Sequence, residues 1–186
     1  MDVVLLFAKV SKNWICNVVR FFSTFLLGRI REKVEAVMTF RKAKPEEYPR
    51  IIDMQTEVFC GEQDIPEELI GTFLDQNPNC WCAEQDGIMI GSVSSWKENG
   101  EIHVGRFIVA PEYRGQKIGT GLLAYVFQEL FESGAETLFF EARDSAAAII
   151  RSMGGVAVGE PFLFYRGNVT PMMLNKEDFK GKSHAE

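Results

Sequence analysis

Histidine is almost absent: His103 and His184 are the only two in 186 residues. A histidine-rich metal centre is therefore excluded, and a Ser-His-Asp hydrolase would depend on a single residue. Cysteine is sparse as well. Of the four present, Cys80 and Cys82 stand two apart in a segment read as a strand and are expected to face opposite sides. The set suits neither a zinc site nor a disulfide framework, and a reducing cytoplasm is the expected compartment. No window supplies the G-x-x-x-x-G-K-[ST] phosphate loop. Charges at Lys9, Lys12, Arg20 and Arg29 interrupt the N-terminal apolar stretch, so no run approaches the roughly twenty residues a membrane span needs. Asp2 precedes the first apolar run and no small-residue cleavage site follows it cleanly, which reads against a secretory signal. A net charge of −6 argues against nucleic-acid partners.

With 46% apolar residues the chain has enough hydrophobic material for one core. Its charge is uneven. Residues 1–37 hold six Lys/Arg against three Asp/Glu, leaving +3, so the remainder carries −9. Within the basic part, Trp14, Val18, Phe21, Phe22 and Phe25 share one helical face opposite Lys12, Asn13, Asn17, Arg20 and Thr24. This amphipathic extension has three readings: peripheral contact with a membrane surface, packing on the domain or self-association, or an extension preceding a true start at Met38. A domain over 38–180 and a disordered tail over 181–186 complete the expected organisation.

From Met38 the pattern is regular. A strand over 38–43 precedes a helix from Pro45 to about Phe59, and a second helix opens at Ile65-Pro66-Glu67-Glu68. Strands at 81–85 and 88–96 flank Asp86-Gly87, and Asn99-Gly100 turns the chain into a strand from Ile102 to Val109. A helix follows, then a strand at 137–141, a helix near 145–152, and a hairpin over 159–174 turning on Arg166-Gly167-Asn168.

The segment Phe107 to Leu123 is the most informative. Pro111 ends a strand, and Leu122, Leu123, Val126, Phe127 and Leu130 recur at helical spacing, so the intervening glycines sit where a helix begins. Free N–H groups and the positive end of the helix dipole converge there on an anion, with Arg114 and Lys117 as mobile positive charge. An ordinary tight turn is one reading. A dinucleotide-binding oxidoreductase is another, since Gly119-Thr-Gly121-Leu-Leu-Ala124 satisfies G-x-G-x-x-[GA] and Glu141 follows about twenty residues on. The long lead-in from Ala110 to Ile118 argues against it.

Arg114-Gly115-Gln116-Lys117-Ile118-Gly119, with its V-x-P-E-Y-R-G lead-in, resembles the [RQ]-x-x-G-x-[GA] signature of the GNAT superfamily of acyl-CoA-dependent N-acetyltransferases. Lys117 stands where the first signature glycine usually falls. The segments Glu57 to Pro66 and Gly159 to Phe164 are similar to E-V-F-x-x-E-Q and G-E-x-F stretches of a small bacterial subgroup, and the order of elements matches over about 38–178. The resemblance implies an α/β (α+β) GNAT fold, a mixed and mostly antiparallel sheet flanked by helices and splayed at the cofactor site. Acetyl-CoA is the implied co-substrate, with no metal. Its pantetheine arm would lie along Phe107, Ile108 and Val109, and its pyrophosphate on Arg114, Gly115, Gln116, Lys117, Ile118, Gly119 and Thr120. Glu101 and His103 fall near the family's usual base. The tyrosine that protonates the thiolate in the family is replaced by Ile150 or Arg151, and Tyr165 is the candidate substitute. The implied activity is acetyl transfer to a primary amine of a small molecule or peptide; the oligomeric state is left open, with a homodimer as one reading. A noncatalytic acyl-CoA-binding or partner-binding module is the alternative that the missing tyrosine suggests. Glu57, Glu62, Asp64, Glu67, Glu68 and Asp75 make the helical region toward the acceptor cleft acidic, which is read either as attraction for a cationic amine or as a solvated face.

Overall fold

The computed structural model describes residues 36–181. The chain divides into two units, Met1–Ala36 and Val37–Glu186, and the second carries the sheet. The expected amphipathic extension, His184 and the tail beyond Gly181 lie outside the described residues.

The first five strands are β1 (Met38–Lys42), β2 (Asn79–Gln85), β3 (Ile88–Glu98), β4 (Glu101–Val109) and β5 (Thr137–Arg143). The short β6 (Val156–Ala157) and β7 (Phe162–Leu163) both pair with β8 (Asn168–Asn175). The order is β1-β2-β3-β4-β5-β8-β6, and β4 with β5 is the parallel pair among antiparallel ones. Two tight turns set the first registers. Asp86 and Gly87 have φ of 51° and 81°, and Asn99 and Gly100 have 51° and 88°. Both dipeptides take the left-handed conformations that a two-residue hairpin matched to strand twist requires.

Helix α1 (Tyr48–Gln63) enters through a 3-10 turn at Pro45–Glu47. The second expected helix shrinks to one turn, α2 (Glu68–Gly71), followed by a 3-10 segment over Thr72–Gln76. Helix α3 (Ile118–Glu132) crosses from β4 to β5 and buries Ile118, Leu122, Leu123, Val126, Phe127, Leu130 and Phe131. Those side chains meet Leu138, Phe140 and Ala142 of β5, together with Ala147 and Ile150 of α4 (Asp144–Ser152), in the main core. The opposite face of the sheet carries α1 through Met54, Val58 and Phe59 against Ile108, and Ile51 against Cys80 and Cys82.

Cys80 and Cys82 therefore share one face, against expectation. Strand side chains alternate with period two, so positions two apart lie on the same side. Both thiols are free, and burial pushes Cys82 up to about 11. They act as small core residues.

Candidate active site

The parallel pair β4 and β5 is joined only where Ile102 meets Leu138 and His103 meets Phe139. Beyond these pairs the strands part, leaving 104–109 and 140–143 without partners across the gap, while β5 stays paired to β8 from Thr137 to Arg143. A β-bulge contributes to the parting. Ser92 pairs with Ile108 and Ser94 with Gly105, so β4 holds one residue more than β3, and Arg106 takes the extra place at φ 51°. The bulge exchanges the faces of β4: Val104 lies in the core with α3, whereas Ile108 lies with α1.

At the end of β4 the chain runs through a 3-10 turn at Pro111–Tyr113 into the amino end of α3. Among the described residues, no backbone or side-chain acceptor takes the N–H groups of Gly115 through Thr120. Unpaired amides at a helix start form a concave anion site with the dipole behind them. The glycines permit the close packing that builds it. A Cβ on Gly119 would lie 2.7 Å from the Phe107 ring, and one on Gly121 2.6 Å from the Phe40 ring. Lys117 is the N-cap at φ 62°, ψ 10°, a left-handed conformation that favours glycine, and its side chain makes no capping hydrogen bond.

Arg114 is not mobile charge. Its Nε donates to the Val109 carbonyl at 2.9 Å, and Nη1 and Nη2 donate to the two carboxylate oxygens of Glu62, each at 2.9 Å. The guanidinium thus braces the turn against the end of α1, and the anion site is left to backbone amides. The adjacent Gln63 does the corresponding work on the other arm of the gap: its Oε1 accepts from Arg143 Nε at 3.0 Å, and its carbonyl accepts from the Arg166 amide at 3.2 Å.

The candidate acid–base residues separate into two places. His103 and Glu101 stand at the closed end of the gap, with His103 Nε2 3.6 Å from Glu101 Oε2 and the imidazole between Trp96 and Phe139. At about 3.3 Å per residue, with one place taken up by the bulge, Phe107 lies roughly 10 Å further along β4. Tyr165 stands on the loop after β7 at φ 48°, exposed and edge-on to Phe164 at 4.9 Å. The six acids singled out from Glu57 to Asp75, on α1, α2 and the segments around them, are exposed, and Glu62 among them is held by Arg114. Ile150, one of the two residues at the expected tyrosine position, is buried in the core, and Arg151 is exposed.

Glu141 had no assigned role in acyl transfer. It alternates with Phe140 and Ala142, so it faces away from the main core, on the side of the sheet that carries α1. Continuing the register of His103 with Phe139 brings Glu141 level with Gly105, beside the bulge. The carboxylate is exposed and has no hydrogen-bond or ion-pair partner among the described residues. The alternation of its strand was the available signal, and the parting of β4 from β5 is the splay that the family resemblance implied. A shallow depression lined by Met54, Val58, Met89 and Tyr113 flanks the β3–β4 side of α1 and includes no residue of β5.

A mostly antiparallel sheet flanked by helices and parted between its parallel strands, with a helix start at the mouth of the gap, is the architecture of the GNAT fold. Residues 40–154 match the model of the acetyltransferase (GNAT) family, and the chain belongs to that family. Aminoalkylphosphonate N-acetyltransferase from Salmonella typhimurium is 31% identical over 124 residues, covering 60% of this chain and 78% of the relative. Escherichia coli ElaA has the same fold, with a TM-score of 0.65 at 16% identity over 74% of this chain and 99% of that one. So does yncA, a putative acetyltransferase from Salmonella typhimurium solved with its cofactor acetyl-CoA, at TM-score 0.58 and 18% identity over 75% and 94%. Among the described residues no helix is long and apolar enough to cross a membrane, and no cluster of His, Cys, Asp and Glu could hold a metal ion.

Proposed function

We propose that the chain transfers an acetyl group from acetyl-CoA to a primary amine of a small molecule or peptide, by direct transfer in a ternary complex. The observation that carries this reading is the row of unpartnered amides from Gly115 to Thr120, opening beside the unpaired edge of β4. Acetyl-CoA, as co-substrate, supplies an activated thioester. The amides would hold its diphosphate, with Lys117 as additional positive charge. The free edge at Phe107, Ile108 and Val109 would pair with the pantetheine amides and offer an N–H to the thioester oxygen. Ile108 pairs with Ser92 of β3 and the Val109 carbonyl is taken by Arg114, which leaves Phe107 and the Val109 N–H as the main groups toward the gap.

An alkylamine with a pKa of about 10.4 is protonated near neutral pH, so a base must act before the N–C bond forms and the C–S bond breaks. Glu141 takes that proton directly beside the bulge. Glu101 and His103 act from the closed end through water. Tyr165 returns a proton to the departing thiolate if its loop turns inward; otherwise water does so. The expected outcome is micromolar acetyl-CoA binding by calorimetry, lost in Arg114→Glu, with thiol release that depends on an added amine and falls at least about tenfold in Glu141→Gln. Absence of any acetyl-CoA affinity sinks the reading. Binding without amine-dependent thiol release favours the second reading, a noncatalytic acyl-CoA-binding module, which the Ile150 and Arg151 substitution supports.

A further inference from the structure

Arg143 is the last residue of β5, and its guanidinium is the least satisfied polar group near the gap. Nε is fixed by Gln63, but Nη1 and Nη2 are buried and have no hydrogen-bond partner among the described residues. No carboxylate pairs with it among the described residues. Burial lowers its pKa, as it does for Arg106, another guanidinium without an acidic partner among the described residues. Arg106 spends its donors on Gln55 and on the carbonyls of Leu69 and Ile70. An unpaired buried guanidinium is costly to maintain, and two adjacent free nitrogens in one plane match two oxygens of a single anion.

The position indicates which anion. Arg143 lies on the same face of β5 as Glu141, two residues on and past the level of the bulge. Positions two apart along a strand are separated by about 7 Å. An exposed carboxylate thus stands two residues from a guanidinium whose Nη1 and Nη2 are buried, and the two do not pair with each other.

We propose that Arg143 binds an oxyanion carried by the acceptor, so that the substrates are short amines bearing a carboxylate, phosphate or phosphonate a few bonds from the nitrogen. This rests on the acetyl-transfer reading, with the amine at Glu141 and the anion at Arg143. The free nitrogens lie beneath the loop over 164–167. The Phe164 ring is 5.7 Å from the guanidinium carbon, and a Cβ on Gly167 would be 3.1 Å from Nη1. One main-chain hydrogen bond, from the Arg166 amide to the Gln63 carbonyl, ties that loop to α1, and Phe164 and Tyr165 on it are solvent-exposed. The acceptor's anion displaces this strap to reach the guanidinium.

The test compares γ-aminobutyrate, aminopropylphosphonate and butylamine by calorimetry against the full chain, with and without CoA, in wild type, Arg143→Gln and Arg143→Lys. At least one of the two acidic amines binds wild type about tenfold or more tighter than butylamine, as a bidentate charge-assisted pair allows. That margin disappears in Arg143→Gln and is partly kept in Arg143→Lys, while CoA affinity and the melting transition are retained. Whichever acidic amine binds tighter identifies the oxyanion. Equal binding of all three amines to wild type, or a margin that survives Arg143→Gln, overturns the proposal. So does a loss of CoA affinity in Arg143→Gln with unchanged amine binding, which would assign Arg143 to the co-substrate. If the acidic amine binds through Arg143 but no acetyl transfer follows, the anion site stands and the transferase reading falls.

Discussion

Replacing Lys117 by glycine should stabilise the protein. Lys117 caps α3 at φ 62°, and its side chain makes neither a capping hydrogen bond nor an ion pair. A residue with a Cβ costs roughly 1–2 kcal/mol in the left-handed region. Glycine removes that cost but gives back about 0.5–1 kcal/mol through its greater freedom in the unfolded chain. The net gain is about 0.5–1 kcal/mol, which for a domain of this size raises the melting temperature by roughly 1–4 °C. Differential scanning calorimetry on wild type, Lys117→Gly and Lys117→Ala resolves the source. Alanine keeps the Cβ and removes the charge, so it should bring no gain. If alanine stabilises as much as glycine, the effect is electrostatic and the backbone argument is refuted; if glycine brings no gain, Lys117 is held by interactions that offset its conformation.

Acid sensitivity and packing give two further tests. Hydrogen bonds from the Arg41 guanidinium and then the Lys44 amide depress Glu47 from 4.5 to about 2. A depressed carboxyl stabilises the fold fully above its unfolded pKa and loses that contribution as pH falls through the folded value. Wild type should therefore melt above Glu47→Gln at pH 6, with the gap closing between about pH 4.5 and 2; a gap independent of pH would refute the assignment. Gly119→Ala drives a Cβ to 2.7 Å from the Phe107 ring. It should cost about 1–3 kcal/mol in urea unfolding, and a neutral result would mean that the ring moves aside freely.

Local chemistry made much of this fold legible. Asp86-Gly87 and Asn99-Gly100 carried turn signals that two-residue hairpins satisfy, and the apolar spacing after Gly121 marked α3. The second helix was overread because Pro66 and two glutamates make a good helix start, but Gly71 follows within one turn. The bulge was invisible, since an arginine at positive φ leaves no local mark. The pairings that shape the site were equally hidden: Arg114 meets Glu62 across 52 positions and Arg143 meets Gln63 across 80. The subgroup-like E-Q dipeptide pointed to a relative, and only the fold revealed that its two side chains reach opposite arms of the gap.

That dipeptide makes the last turn of α1 a caliper. Two consecutive residues on one helix hold the signature turn through Glu62 and the end of β5 through Gln63, so the helix end gauges the width of the mouth. Each residue added to or deleted from α1 would rotate both contacts by about 100° and shift them 1.5 Å along the axis. The length of α1 is thereby tied to the opening of the cleft, whereas insertions in the β2–β3 and β3–β4 turns would leave that opening untouched.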